Sequence, residues 1–200
     1  MHHGQIESSR GDVRAARELQ AQALAAFKAL GNESGAAVVL VSLAELEFTD
    51  GHPEQALRAV SEAFEIRLRG KNATSIAIGH TNSAAYRIAL SDLTGARDSA
   101  REGLRVARQA RVEQSIAITL QHLALLAGLG GDARRGAQLL GYVDAQYTAL
   151  GMHREPTEQW GYDQLMTALR ETLSEAEIAQ LAADGAAWSE DQAVEEALKV

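Results

Sequence analysis

Four short segments of this chain recur in phase: Gly11-Asp12-Val13-Arg14-Ala15-Ala16, Gly51-His52-Pro53-Glu54-Gln55-Ala56, Ser91-Asp92-Leu93-Thr94-Gly95-Ala96 and Gly131-Asp132-Ala133-Arg134-Arg135-Gly136. Their starts, at positions 11, 51, 91 and 131, are evenly spaced with no insertion. A fixed period of this size means a supersecondary unit that buries its apolar face by stacking on its neighbours. Each segment breaks the chain with a small residue and offers a helix N-cap: Asp12, Asp92, Asp132 and the weaker His52. An aspartate there accepts the free N–H groups of the first helical turn and so fixes where the helix begins. Pro53 falls at the first helical position, where a missing N–H costs nothing.

The phase extends upstream of each break. Ala44, Ala84 and Ala124 precede Ala56, Ala96 and Gly136, always at the same separation. Leu40, His80 and Leu120 align, as do Val38, Ile78 and Ile118, and in the following helix Val60, Ala100 and Leu140, with Gln20 in the first unit. The pattern predicts first helices over roughly 33–49, 73–90 and 113–129, and second helices over roughly 12–30, 52–69, 92–110 and 132–150. Gly31, Gly70 and Gly151 end three of the second helices as left-handed residues do. Two antiparallel helices joined by a tight turn come nearest just after it, and only Ala or Gly lets the backbones touch there. Aromatic residues make up 4% of the chain and prolines number two, which disfavours sheets and supports an all-α fold.

The small–small pair at this fixed separation, with Leu43 and Leu123 at the first-helix leucine position, resembles the signature of tetratricopeptide (TPR) repeats. The resemblance covers about 140 residues, several times the length of one such unit. It departs from the family in lacking most of the aromatics and in a unit longer than the roughly 34 residues that are usual. It implies a right-handed superhelical solenoid of antiparallel helix pairs with a concave face lined by first helices. Carried over through Ala44, Ala84 and Ala124, that face comprises Val38, Val41, Glu45 and Phe48; Ile78, Thr81, Ala85 and Ile88; and Ile118, Gln121 and Leu125. TPR domains that grip a C-terminal carboxylate use Lys and Asn there, and this chain has neither at those positions. The mostly apolar face suits an amphipathic helix: a partner's segment, the chain's own residues 157–173, or a second copy.

Residues 1–155 read as the array and 156–200 as helices capping its end. Residues 12–30 form a second helix with no first helix ahead of it, so either the chain is a piece of a longer array or another copy covers that face. After Glu155-Pro156, the residues Trp160, Leu165, Leu169 and Leu173 suggest one amphipathic helix, and Ser174…Glu177 and Ser189…Gln192 fit capping boxes. The run from Ala137-Gln138-Leu139-Leu140-Gly141 through Leu173, and then Ala186–Leu198, resembles the C-terminal end of large bacterial regulators. In those, an ATPase core and a LuxR-type, winged-helix or cyclase output domain precede a TPR-like array. That resemblance implies a sensor or scaffold end of such a protein.

A net charge of −8 opposes binding to nucleic acid or anionic membrane by this chain alone. With no cysteine there are no disulfides or thiolate metal sites, and no apolar run reaches the roughly 18 residues of a membrane span, so cytoplasmic residence is expected. Gly128-Leu129-Gly130-Gly131 reads as a turn, because no Lys–Ser/Thr follows it. His80 and His122 fall at different repeat phases and should point apart. Arg97, Arg101, Arg105 and Arg108 form a basic stripe, read as a solvated face paired with Asp98 and Glu102. No catalytic motif, cofactor site or metal site is expected. The expected function is a non-catalytic module that binds a protein segment, its rivals being a small-molecule sensor and a self-associating scaffold.

Overall fold

The computed structural model describes residues 2–70 and 72–200, with side chains from Val13 onward. Ten α-helices account for the regular structure among them: α1 (His2–Ala29), α2 (Glu33–Thr49), α3 (Pro53–Arg69), α4 (Ala73–Ala89), α5 (Leu93–Ala110), α6 (Glu113–Leu129), α7 (Ala133–Ala149), α8 (Pro156–Arg170), α9 (Glu175–Ala186) and α10 (Glu190–Ala197). The chain packs as two units, Met1–Asn72 and Ala73–Val200. In the first, α2 packs against α1 and α3; in the second, α4, α5, α6 and α7 pack in succession, with α4 also on α6. The tail helices lie on the last pair, α8 on α6 and α7, α9 on α7, and α10 on both. Among the described residues, no helix is long and apolar enough to cross a membrane.

The turns explain the phase. Gly31, Gly51, Ser91, Arg111, Gly131 and Gly151 all have positive φ, between 55° and 90°, so between 31 and 151 a left-handed residue stands at every twentieth position except 71, which lies outside the described residues. Each closes a Schellman motif. In the turn at Gly131, for example, the Gly131 N–H donates to the Gly128 carbonyl at 3.1 Å and the Asp132 N–H donates to the Ala127 carbonyl at 2.9 Å. The next residue then caps the following helix: Asn32, Asp92 and Asp132 accept the N–H groups of Gly35, Gly95 and Arg135. The end of one helix and the start of the next are thus set by adjacent residues, and the connection stays very short.

Two expectations are corrected. Gly11 and Asp12 do not begin a helix, because α1 runs straight through them. A glycine inside a helix costs only about 1 kcal/mol, too little to break it unaided. Gly70 closes α3 in a right-handed conformation, φ −75° and ψ −8°, and not as a left-handed residue. Its N–H still donates to the Ile66 carbonyl, at 3.3 Å, so it continues the helical geometry of α3.

Close packing follows the small residues. Ala44, Ala56, Ala84, Ala96 and Ala124 are fully buried, and a Cβ added at Gly136 would lie 3.0 Å from the Ala124 carbonyl oxygen. A closer crossing joins α7 to α9: a Cβ at Gly141 would overlap the Ala182 carbonyl, and one at Gly185 the Gln138 carbonyl. The core of the second unit gathers around Leu120, Leu123, Leu125, Leu126, Leu139, Leu165 and Leu169. Burying each such leucine contributes about 2 kcal/mol. The capping box at Ser174 closes in both directions with Glu177, and at Ser189 its first half forms, with the Gln192 N–H donating to the serine hydroxyl.

Candidate functional site

The eleven residues of the expected concave face meet different fates. On α2, Val38 is 58% exposed, Val41 is half-buried, Glu45 is exposed and Phe48 is buried. On α4, Ile78 is half-buried, while Thr81, Ala85 and Ile88 are enclosed. On α6, Ile118 is half-buried, while Gln121 and Leu125 are fully enclosed. Thr81 faces inward: its hydroxyl lies 2.9 Å from that of Thr119, which ties α4 to α6, and it contacts the Ala77 carbonyl at 2.9 Å.

The face of α6 is covered by α8. The Gln121 amide nitrogen donates to the Glu158 carbonyl at 2.7 Å. A Cβ at Gly128 would lie against Leu165, Ala168 and Leu169, so this glycine makes room for the same helix. Residues 157–173 are therefore seated on the last unit's first helix, one of the three occupants expected from sequence.

Arg154 closes one end of this seat. Its Nε donates to the Gln121 side-chain oxygen at 2.8 Å, another of its nitrogens bonds the Asp144 carboxylate, and its guanidinium lies 4.8 Å from the Tyr147 ring centre and 4.3 Å from that of Tyr162. Such stacking on two rings adds to the hydrogen bonds. Burial, with Glu158 nearby, holds the Tyr147 hydroxyl above its ordinary pKa, and that hydroxyl has no hydrogen-bond partner. Beside it opens a cleft of about 490 Å³ lined by Asp144, Tyr147, Thr148, Met152, His153, Arg154 and Gln159. Sequence reasoning missed this cluster. The available signal was the tyrosines themselves, since three of the chain's four fall between positions 142 and 162.

The arginine stripe is not the solvated face expected. Arg105 does pair with Glu102, but Arg101 donates to the carbonyls of Leu198 and Val200, at 3.1 and 2.6 Å, and Arg108 pairs with Glu190 and Asp191. Two of the four arginines hold the C-terminal helix. Partners so far along the chain leave no local pattern to read.

Glu47, Asp50 and His52 gather ligand-type atoms within 4.8 Å of one another. Arg17 already donates to Glu47 at 2.6 and 3.0 Å and to Asp50 at 2.8 Å, and these bonds hold the guanidinium above its ordinary pKa. A cation therefore occupies the place a metal would take. His122 is enclosed with neither ring nitrogen hydrogen-bonded, and burial pushes it down to about 4. His80 is half-buried, and its pKa too is lowered by desolvation.

Together the fold and these clusters define an all-α, helical-repeat-like protein whose last pair carries a helix of its own chain. No protein-family model, curated protein or solved structure matches the chain.

Proposed function

We propose that this chain is a non-catalytic protein-interaction module that takes an amphipathic helix on its first-helix face. The observation that carries this reading is α8, lying on α6 at Gln121 and Gly128. By the repeat register, Val38, Val41 and Glu45 of α2 stand where Ile118, Gln121 and Leu125 stand on α6. The α6 set is largely enclosed, whereas Val38 and Glu45 are exposed. A helix with an aliphatic face meets on α2 the kind of surface that α8 meets on α6, in the helix-in-groove manner. A TPR-like, right-handed array in the cytoplasm, forming the sensor or scaffold end of a bacterial signalling or transcriptional regulator, fits this reading. Net negative charge supports protein partners over nucleic acid.

The test is a fluorescence-anisotropy titration with a labelled peptide of residues 156–173, alongside a panel of unrelated amphipathic helices. Saturable binding that Val38→Asp weakens at least tenfold is expected. Absence of binding by every peptide overturns the reading.

Two further readings have an observation each. The cleft beside Tyr147 and Arg154 favours a small-molecule sensor, tested by thermal shift against a metabolite panel. The exposed Leu19 and Leu30 favour self-association.

A further inference from the structure

Among the second helices, α1 differs from α3, α5 and α7 at the same register places. Ala56, Ala96 and Gly136 are buried, as are Ala63, Gly103 and Val143, yet their counterparts Ala16 and Ala23 are only half-buried. Leu139 is fully enclosed and Ala59 is 8% exposed, while their counterpart Leu19 is 66% exposed. The small residues that pack the other second helices thus recur on α1 at the same register places, where they are only half covered. Beside them lies an exposed stripe of Ala15, Leu19, Ala26 and Leu30, spaced 4, 7 and 4, with no charge in it. Leu30 is 79% exposed. A helix apolar on two sides belongs between two neighbours, and α2 supplies one.

We propose that the second neighbour is α1 of another copy of this chain, running antiparallel about a two-fold axis between Gln22 and Ala23. This rests on the self-association reading and names its surface and geometry. Two arguments favour a second copy. The new contact continues an interface the chain already builds, the packing of small residues on its other second helices. The stripe is also self-complementary, as a two-fold interface requires. Running antiparallel about that axis, Leu19 of one protomer meets Ala26 of its partner and Leu30 meets Ala15, so each large residue faces a small one.

The experiment is light scattering on the intact chain across a concentration series, with cysteine cross-linking. A particle of twice 21.4 kDa that dissociates on dilution is expected. Leu19→Glu raises the dissociation constant at least tenfold with unchanged circular dichroism, and the exposed control Leu129→Glu leaves it unchanged. Because the chain has no cysteine, Gln22→Cys adds a single thiol near the axis and forms a cross-linked dimer on oxidation. Leu30→Cys does not, because the two thiols then lie about 22 Å apart at about 1.5 Å of rise per residue. A monomer at every concentration, a dimer indifferent to Leu19→Glu, or cross-linking through Leu30→Cys each overturns the proposal. Peptide binding at Val38 is measured separately and survives Leu19→Glu, so the two readings fail independently.

Discussion

The two units follow one backbone plan and fill it differently. The first unit buries Ala36, Ala37, Ala44, Ala56, Ala59 and Ala63, with Leu40 and Val60 as its large, fully enclosed side chains. The second puts leucines at Leu104, Leu120, Leu123, Leu125, Leu126 and Leu139 and adds Leu165 and Leu169 from the tail. Among the described residues, four of the six exposed large hydrophobics, Leu19, Leu30, Val38 and Leu68, belong to the first unit. Turn geometry and small-residue crossings therefore suffice to set a helical repeat, while the mass of its core sets how firmly each part is held. The first unit leans on polar ties such as Arg17 with Glu47 and Asp50, and it is the part with surface left to offer. Local opening free energy should follow the same division.

The sharpest way to break the comparison is at the glycines. Gly141→Ala or Gly185→Ala drives a methyl into a backbone carbonyl, and each should cost about 4 kcal/mol or more, read by urea unfolding through Trp160 and Trp188, both in the second unit. In the first unit, the nearest obstacle to Gly35→Ala is the Phe27 ring, a side chain able to turn aside, so a loss of about 1–3 kcal/mol is expected. Equal effects at both places would erase the distinction. Next in size, Leu165→Ala should cost about 2–5 kcal/mol, while Val38→Ala stays within about 0.5 kcal/mol.

His122 sharpens the comparison through pH, since its ring is enclosed in the second unit. Its folded pKa is pushed down to about 4 from 6.5, so between those values the unfolded chain binds a proton that the folded one does not. Stability contributed by the neutral ring is full above pH 6.5 and falls as pH drops to 4, by about 3 kcal/mol at about 1.36 kcal/mol per pH unit. Denaturant midpoints of the tryptophan signal at pH 7, 6 and 5 check this, and His122→Leu should flatten the trend. The smallest effect is expected at Arg108→Ala, where removing pairs to Glu190 and Asp191 should cost no more than about 1 kcal/mol, diminishing with salt.

The helix pairs were legible because their signals are local. Asp92 and Asp132 cap helices at the places the phase assigned, and Gly136 lies against Ala124 as their fixed separation required. What escaped was what depends on distant chain. Thr81 read as a groove residue, but its hydroxyl is tied to Thr119 of a later helix, and the bond from Gln121 to Glu158 likewise spans chain that no local pattern links. Arg101 and Arg108 read as solvated because Glu102 and Asp98 stood close in sequence, while Val200 and Glu190 stood far. Gly11-Asp12 shows the limit of local signals: a cap residue starts a helix only where something else stops the one before.

A turn whose adjacent residues serve two helices also governs how such a chain can change length. A single residue inserted at Gly131 would swing everything after it by about 100° and undo the bonds on both sides. A whole helix pair copied from one left-handed position to the next but one, Ser91 to Gly131, would leave every junction as it was. The chain can lengthen or shorten by whole units, and by little else.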